Sequence, residues 1–133
     1  MKFLGANPNV RLEGVEPLPG RSNYFVGNDR SKWRTNVRHY AKVRYAQVYP
    51  GIDVVYYGDG KRLEHDFIVM PGADPATIRI EYEGVDRLEI DQAGDLVLHT
   101  AAGEARQQKP IVYQQAGGER ERIEGRYKLL GGN

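Results

Sequence analysis

Cysteine is absent from this 133-residue chain, which removes disulfides, thiolate catalysis and Cys-based zinc sites together while leaving the redox compartment open. No apolar run approaches the roughly 20 residues of a membrane span, so no membrane insertion is expected. Met1-Lys2-Phe3-Leu4-Gly5 is too short for a signal peptide, and an exported natural protein would have lost its leader before this chain begins. An excess of one charge is missing too. Nineteen Lys plus Arg against eighteen Asp plus Glu leave +1, with both signs interspersed, so the basic field that nucleic acid or anionic lipid requires is not expected. Helical periodicity is also lacking, since no window of about eleven residues keeps an apolar stripe.

What is present is period-two alternation, broken repeatedly by Gly, Pro, Asn and Asp. The expectation is one all-β domain over residues 1–133, an antiparallel β-sandwich or open barrel built from hairpins and a meander. Between Val37 and Tyr45, alternation puts Val37, His39, Ala41, Val43 and Tyr45 on an inward face. Arg38, Tyr40, Lys42 and Arg44 form a basic stripe on the other. Tyr49-Pro50-Gly51 turns the chain. Ile52 to Tyr57 and Arg62 to Met70 then read as a hairpin closed by Asp59-Gly60, a favoured type I′ pair. Asp74-Pro75-Ala76-Thr77 suits a single helical turn.

The second half reads as short strands whose core would come from Leu88, Ile90, Leu96, Leu98, Ile111, Tyr113, Ile123, Tyr127 and Leu129. Tyr24, Tyr45, Tyr56 and Tyr82 are expected in the core. Residues before 37 read as strand pieces near Val10-Arg11-Leu12 and Asn23-Tyr24-Phe25-Val26, with loops around Pro17-Leu18-Pro19-Gly20 and Gly27-Asn28-Asp29.

A two-residue loop at Asp59-Gly60 would set Asp53 opposite Asp66, Val55 opposite Glu64 and Tyr57 opposite Arg62. Opposed side chains have Cβ atoms about 4.5 to 5.5 Å apart, so Asp53, Glu64 and Asp66 would need a compensating cation. The basic stripe or Arg62 would make them a salt-bridged sheet face, a bound Ca²⁺ would make them a metal site, and a paired-carboxylate glycosidase would use a similar spacing. The first reading leaves the chain without a catalytic set or cofactor; the others are a polysaccharide-active hydrolase or a metal-dependent enzyme. His65 falls on the opposite face with Leu63, Phe67, Val54 and Tyr56, as a half-buried core histidine; His39 and His99 lack ligand spacing to join it. Trp33, Tyr40, Tyr57, Arg62 and Asp66 combine aromatic faces with charge, the pattern that stacks on sugar rings and bonds their hydroxyls, against the simpler reading of rings packed on arginine stems.

Several spaced motifs occur in order: Asn23-Tyr24-Phe25-Val26-Gly27-Asn28, Trp33-Arg34-Thr35, Val48-Tyr49-Pro50-Gly51-Ile52-Asp53, Val55-Tyr56-Tyr57-Gly58, Leu63-Glu64 with Asp66-Phe67, and Pro71-Gly72-Ala73-Asp74-Pro75. Gly94-Asp95-Leu96 and Lys109-Pro110 with Tyr113-Gln114 follow. From about Val10 to Leu129 this resembles the bacterial domain of unknown function found N-terminal to SBBP-type β-propeller repeats in large exported proteins. The resemblance implies a secreted or cell-surface module and no known reaction. His65 stands where that family more often has Tyr. The chain stops at Gly131-Gly132-Asn133 where the family runs on into another strand, so a missing last strand, or one supplied by a second copy through an open sheet edge, is expected. The function expected is therefore non-catalytic: binding of a ligand such as a glycan, or docking to a neighbouring repeat domain.

Overall fold

The structure, a computed structural model, describes residues 1–58, 60 and 62–131. Its strands are β1 (Lys2–Phe3), β2 (Arg11–Tyr24), β3 (Arg34–Tyr49), β4 (Ile52–Gly58), β5 (Leu63–Val69), β6 (Ile80–Glu81), β7 (Arg87–Ile90), β8 (Leu96–Thr100), β9 (Gly103–Gln107), β10 (Val112–Ala116) and β11 (Glu119–Ile123). The chain is all-β, as its alternation predicts, with several antiparallel sheets and no closed barrel among the described residues. It folds as two compact units, one of residues 3–79 and one of residues 1–2 with 80–133.

The first unit is a four-stranded antiparallel sheet in the order β2-β3-β4-β5. Its core gathers on one face around Val48, Tyr49, Ile52 and Val54, packed by Phe3, Ala6, Val10, Phe67, Ala73 and Ile78. The predicted turn at Tyr49-Pro50-Gly51 forms with Gly51 at φ 72°, and a Cβ there would stand 2.8 Å from the Cβ of Ala73, so both conformation and space demand glycine. The single helical turn at Pro75–Thr77 also forms, capped by the Asp74 carboxylate, which accepts from the Ala76 N–H at 2.9 Å.

β2 and β3 are far longer than the sequence suggests. β2 runs unbroken through Pro17-Leu18-Pro19-Gly20, the predicted loop, because it is an edge strand: a proline there removes a donor that no neighbour needs. β4 pairs with β3 only between Lys42 and Tyr49, so residues 17–41 continue as a two-stranded ribbon that, among the described residues, carries no further strand. None of them is buried, and the predicted inward face holds only in part: Val37 and His39 are half-buried and Tyr45 packs on the core, but Ala41 and Val43 are exposed, as is Tyr24.

In the second unit β7-β8-β9 is the expected meander and β10-β11 a separate hairpin. Its core is Tyr82, Val85 and Leu96 with Ile80, Leu88, Leu98 and Tyr127. Ile90, Ile111, Tyr113, Ile123 and Leu129, predicted to join it, are exposed. A two-stranded hairpin has no second layer of its own, so the alternation of β10 and β11 points to no interior. Burial pushes the Tyr82 hydroxyl up to about 12, and it donates to Gln107 Oε1.

Candidate functional site

The register of β4 and β5 decides what becomes of the three acids. Val55 stands opposite Asp66, Tyr57 opposite Glu64, Gly58 opposite Leu63, and Asp53 opposite Ile68. This is two residues away from the register a two-residue loop would set, so Asp53 does not face Asp66, Val55 does not face Glu64, and Tyr57 does not face Arg62. The connection spans residues 59–62; Asp59 of the expected type I′ pair, and Lys61, lie outside the described residues. A slip of two preserves the pleat, so the acids keep the face that alternation assigns them.

Asp53 is fully buried, and its position explains why. Between the pairs Tyr45↔Val54 and Tyr49↔Ile52, residues 46–48 of β3 oppose Asp53 alone, a bulge that takes Gln47 to φ 56°. A bulge strands a backbone donor. Asp53 fills the gap: its Oδ1 accepts the Gln47 N–H at 2.7 Å, while Oδ2 accepts Arg44 Nε at 2.8 Å and Nη2 of the same guanidinium. Asn7 closes the other side, donating its N–H to Val48 O at 2.9 Å and its amide to Gln47 O at 3.3 Å. Asp53 is thus a structural clamp with a predicted stripe residue, Arg44, as its counter-ion. Arg44 Nη1 also lies 3.8 Å from Glu13 Oε2.

Asp66 accepts from the Tyr57 hydroxyl at 3.0 Å, and desolvation together with that carboxylate raises the Tyr57 pKa. Lys42 sits 5.8 Å above the Tyr57 ring centroid, with its Nζ 2.5 Å from Glu16. The sheet face is therefore a lattice of matched charges, in which an exposed pair is worth about 0 to 1 kcal/mol. No group of three His, Asp or Glu spaced to hold a metal occurs among the described residues.

The three histidines occupy three settings. His65 is in an aromatic cluster, its ring centroid 5.6 Å from Tyr56, 5.5 Å from Phe67 and 6.4 Å from Phe3. Desolvation lowers its pKa, against a smaller raising effect of Asp66. His39 Nε2 lies 2.6 Å from Ser22 Oγ on the ribbon, and His99 Nδ1 is 3.1 Å from Glu104.

The candidate ligand residues do not form one patch. Tyr57 and Asp66 belong to the charged sheet face, and Arg62 to the connection after β4. Tyr40 lays its ring over Gly14, where a Cβ would stand 2.5 Å from it. Trp33 lies at the ribbon tip, on the order of 25–30 Å along β3 from Lys42, the partner of Tyr57.

That tip is held by its own side-chain contacts. Asp29 caps the turn Arg30–Lys32 by accepting from the Ser31 N–H at 3.0 Å and hydroxyl at 2.7 Å, hydrogen bonds that lower its pKa. The turn returns Trp33 to Phe25, ring centroids 5.0 Å apart and 74° inclined, with Arg30 Cζ 5.3 Å over the indole. Trp33 Nε1 donates to Gly27 O at 3.1 Å. Trp33 is half-buried by these contacts, whereas Tyr24, Phe25 and Val26 are 52%, 60% and 74% exposed. Phe25 and Arg30 were not singled out by sequence reasoning. The signal available was the density of aromatic and basic residues between Tyr24 and Arg34, diluted when charge is averaged over the whole chain.

Across residues 1–133 the chain matches the family model described as a domain of unknown function (DUF7948), and it belongs to that family. No curated protein and no solved structure matches it.

Proposed function

We propose that this DUF7948 domain is a non-catalytic binding module of an exported protein that engages a carbohydrate ligand with the tip of its β2–β3 ribbon. One observation carries the reading: a segment with no buried residue nevertheless holds Tyr24 and Phe25 as exposed rings on a braced turn. An aromatic ring covers the apolar face of a sugar at low entropic cost, and neighbouring polar groups bond its hydroxyls. The hydrolase alternative has no comparable support, because Asp53 has its carboxylate committed to a backbone N–H and a guanidinium.

A glycan array probed with the 133-residue chain tests the proposal. Phe25→Ala and Tyr24→Ala are expected to abolish retention while leaving the urea midpoint unchanged. Retention that survives both substitutions, or an array that retains nothing, would count against it.

A second reading, docking to adjacent repeats of the SBBP type, draws on the other face of the sheet. There Leu12, Val43 and Leu63 are 61%, 40% and 76% exposed on the core side. Scattered exposed apolar residues are ordinary, but these share one face. Leu63→Lys is expected to weaken association with a separately produced repeat domain and to leave glycan retention intact.

A further inference from the structure

Positive charge is unevenly placed along this chain. Residues 17–41 carry Arg21, Arg30, Lys32, Arg34 and Arg38 against Asp29 alone, which leaves the remainder with more Asp and Glu than Lys and Arg. Asp29 is already taken by Ser31 and by Lys32, whose Nζ lies 3.5 Å away, and Arg30 rests on Trp33. Arg21 and Arg38 are direct partners in the ladder, and Tyr24 faces Arg34. Among the described residues no carboxylate pairs with Arg21, Arg34 or Arg38.

Like charges directly opposed across antiparallel strands, with Cβ atoms about 4.5 to 5.5 Å apart, are destabilising. On the same strands nearer the core, Arg44 and Lys42 meet Asp53, Glu13 and Glu16. Folding therefore gains nothing from the opposed arginines of the ribbon. An oxyanion would relieve them, since each guanidinium offers a planar fork of donors suited to carboxylate or sulfate.

We propose that the ribbon binds an acidic polysaccharide, its carboxylate or sulfate groups held by the opposed pair Arg21 and Arg38 and its sugar rings by Phe25 at the tip. The inference rests on the binding reading above and adds the charge of the ligand. Nucleic acid is also a polyanion, but the duplex carries one charge per about 1.7 Å and demands a broad basic field. Here the cations of the sheet end are already neutralised and the remainder of the chain is acidic, so a sparser polyanion with hydroxylated rings fits better.

Binding of the 133-residue chain to polygalacturonate, dextran sulfate, neutral dextran and a dT homopolymer tests this. At least one acidic polysaccharide is expected to bind, to weaken as salt rises, and to lose roughly tenfold or more in affinity in the double variant Arg21→Gln/Arg38→Gln. That variant is expected to melt no lower than the parent. Should it fail to fold, Arg21→Lys/Arg38→Lys keeps the charge but not the fork, and a several-fold loss is expected. Neutral dextran bound as tightly as the acidic polymers, with no effect of the arginine variants, overturns the inference and leaves the binding reading standing. The dT homopolymer bound at least as tightly as either acidic polysaccharide overturns it as well. If no polymer binds and the glycan array is empty, both readings fall.

Discussion

At one end of the β2–β3 hairpin Arg44 and Lys42 meet Asp53, Glu13 and Glu16; at the other, Arg21 faces Arg38, and among the described residues no carboxylate pairs with either. The strands are the same and the backbone ladder is continuous, yet only the first end has a third and fourth strand and a core behind it. Burial makes the difference. Asp53 is out of solvent and must be satisfied, so its surroundings supply a cation and a backbone donor. No residue of the ribbon is buried, so Arg21 and Arg38 carry no such obligation to a core.

The largest effect that tests this contrast is expected at Asp53. Asp53→Ala strands the Gln47 N–H and the Arg44 guanidinium, and about 2–4 kcal/mol of stability is expected to be lost; the partial solvation of Arg44 holds the cost toward the lower side of a broken buried pair. Urea unfolding measures it, with Asp53→Asn, which keeps an acceptor for the bulge, expected to lose less. A parent-like midpoint for Asp53→Ala would remove the clamp from the account.

Paired truncations give the next largest effect. Val54→Ala, in the fully buried core, is expected to cost about 2–3 kcal/mol, whereas Val37→Ala on the ribbon is expected to cost under about 1 kcal/mol. Equal costs would mean that the ribbon has a packed side.

A smaller effect follows pH. Because burial depresses the His65 pKa, the folded chain holds the ring neutral while the unfolded chain takes up the proton first. That contribution to stability is complete above about pH 6.5, the ordinary histidine value, and is lost as pH falls through it toward the folded pKa. Urea midpoints compared at about pH 7.5 and 5.5 are expected to fall in the parent and to fall less in His65→Phe, which suits the aromatic cluster. An unchanged slope would place the titration elsewhere.

The smallest effect carries the opposite sign. Arg21→Gln/Arg38→Gln is expected to gain up to about 0.5 kcal/mol, read as a slight rise in the thermal midpoint, because an opposed like-charge pair is relieved. A clear loss would show that the arginines contribute to folding after all.

The all-β class, the Tyr49-Pro50-Gly51 turn, the helical turn at Asp74-Pro75-Ala76-Thr77 and the face on which each acid of the β4–β5 hairpin lies were legible because each follows from local chemistry: period-two alternation, proline's φ and glycine's left-handed conformation. Leu88, Leu96, Leu98 and Tyr127 were legible as core for the same reason, whereas Ile90, Ile111 and Ile123 alternate as well and lie exposed. Alternation says which side chains share a face, not whether anything covers it.

Register, bulges and coverage were decided only by the tertiary structure. A slip of two along β5 leaves every side chain on its own face, so no pattern in the sequence distinguishes Asp53 opposite Asp66 from Asp53 opposite Ile68. The bulge at Gln47 is a non-glycine residue in the left-handed region, held there by Asp53 and Asn7 from elsewhere in the chain. The exposed arm follows from where β4 stops pairing with β3, at Lys42, although the alternation of β3 continues past that point. Local composition determined the strands and turns, because those depend on a residue and its near neighbours. Which charges are buried and matched, and which remain free on the ribbon, depended on strands distant in sequence coming to lie side by side.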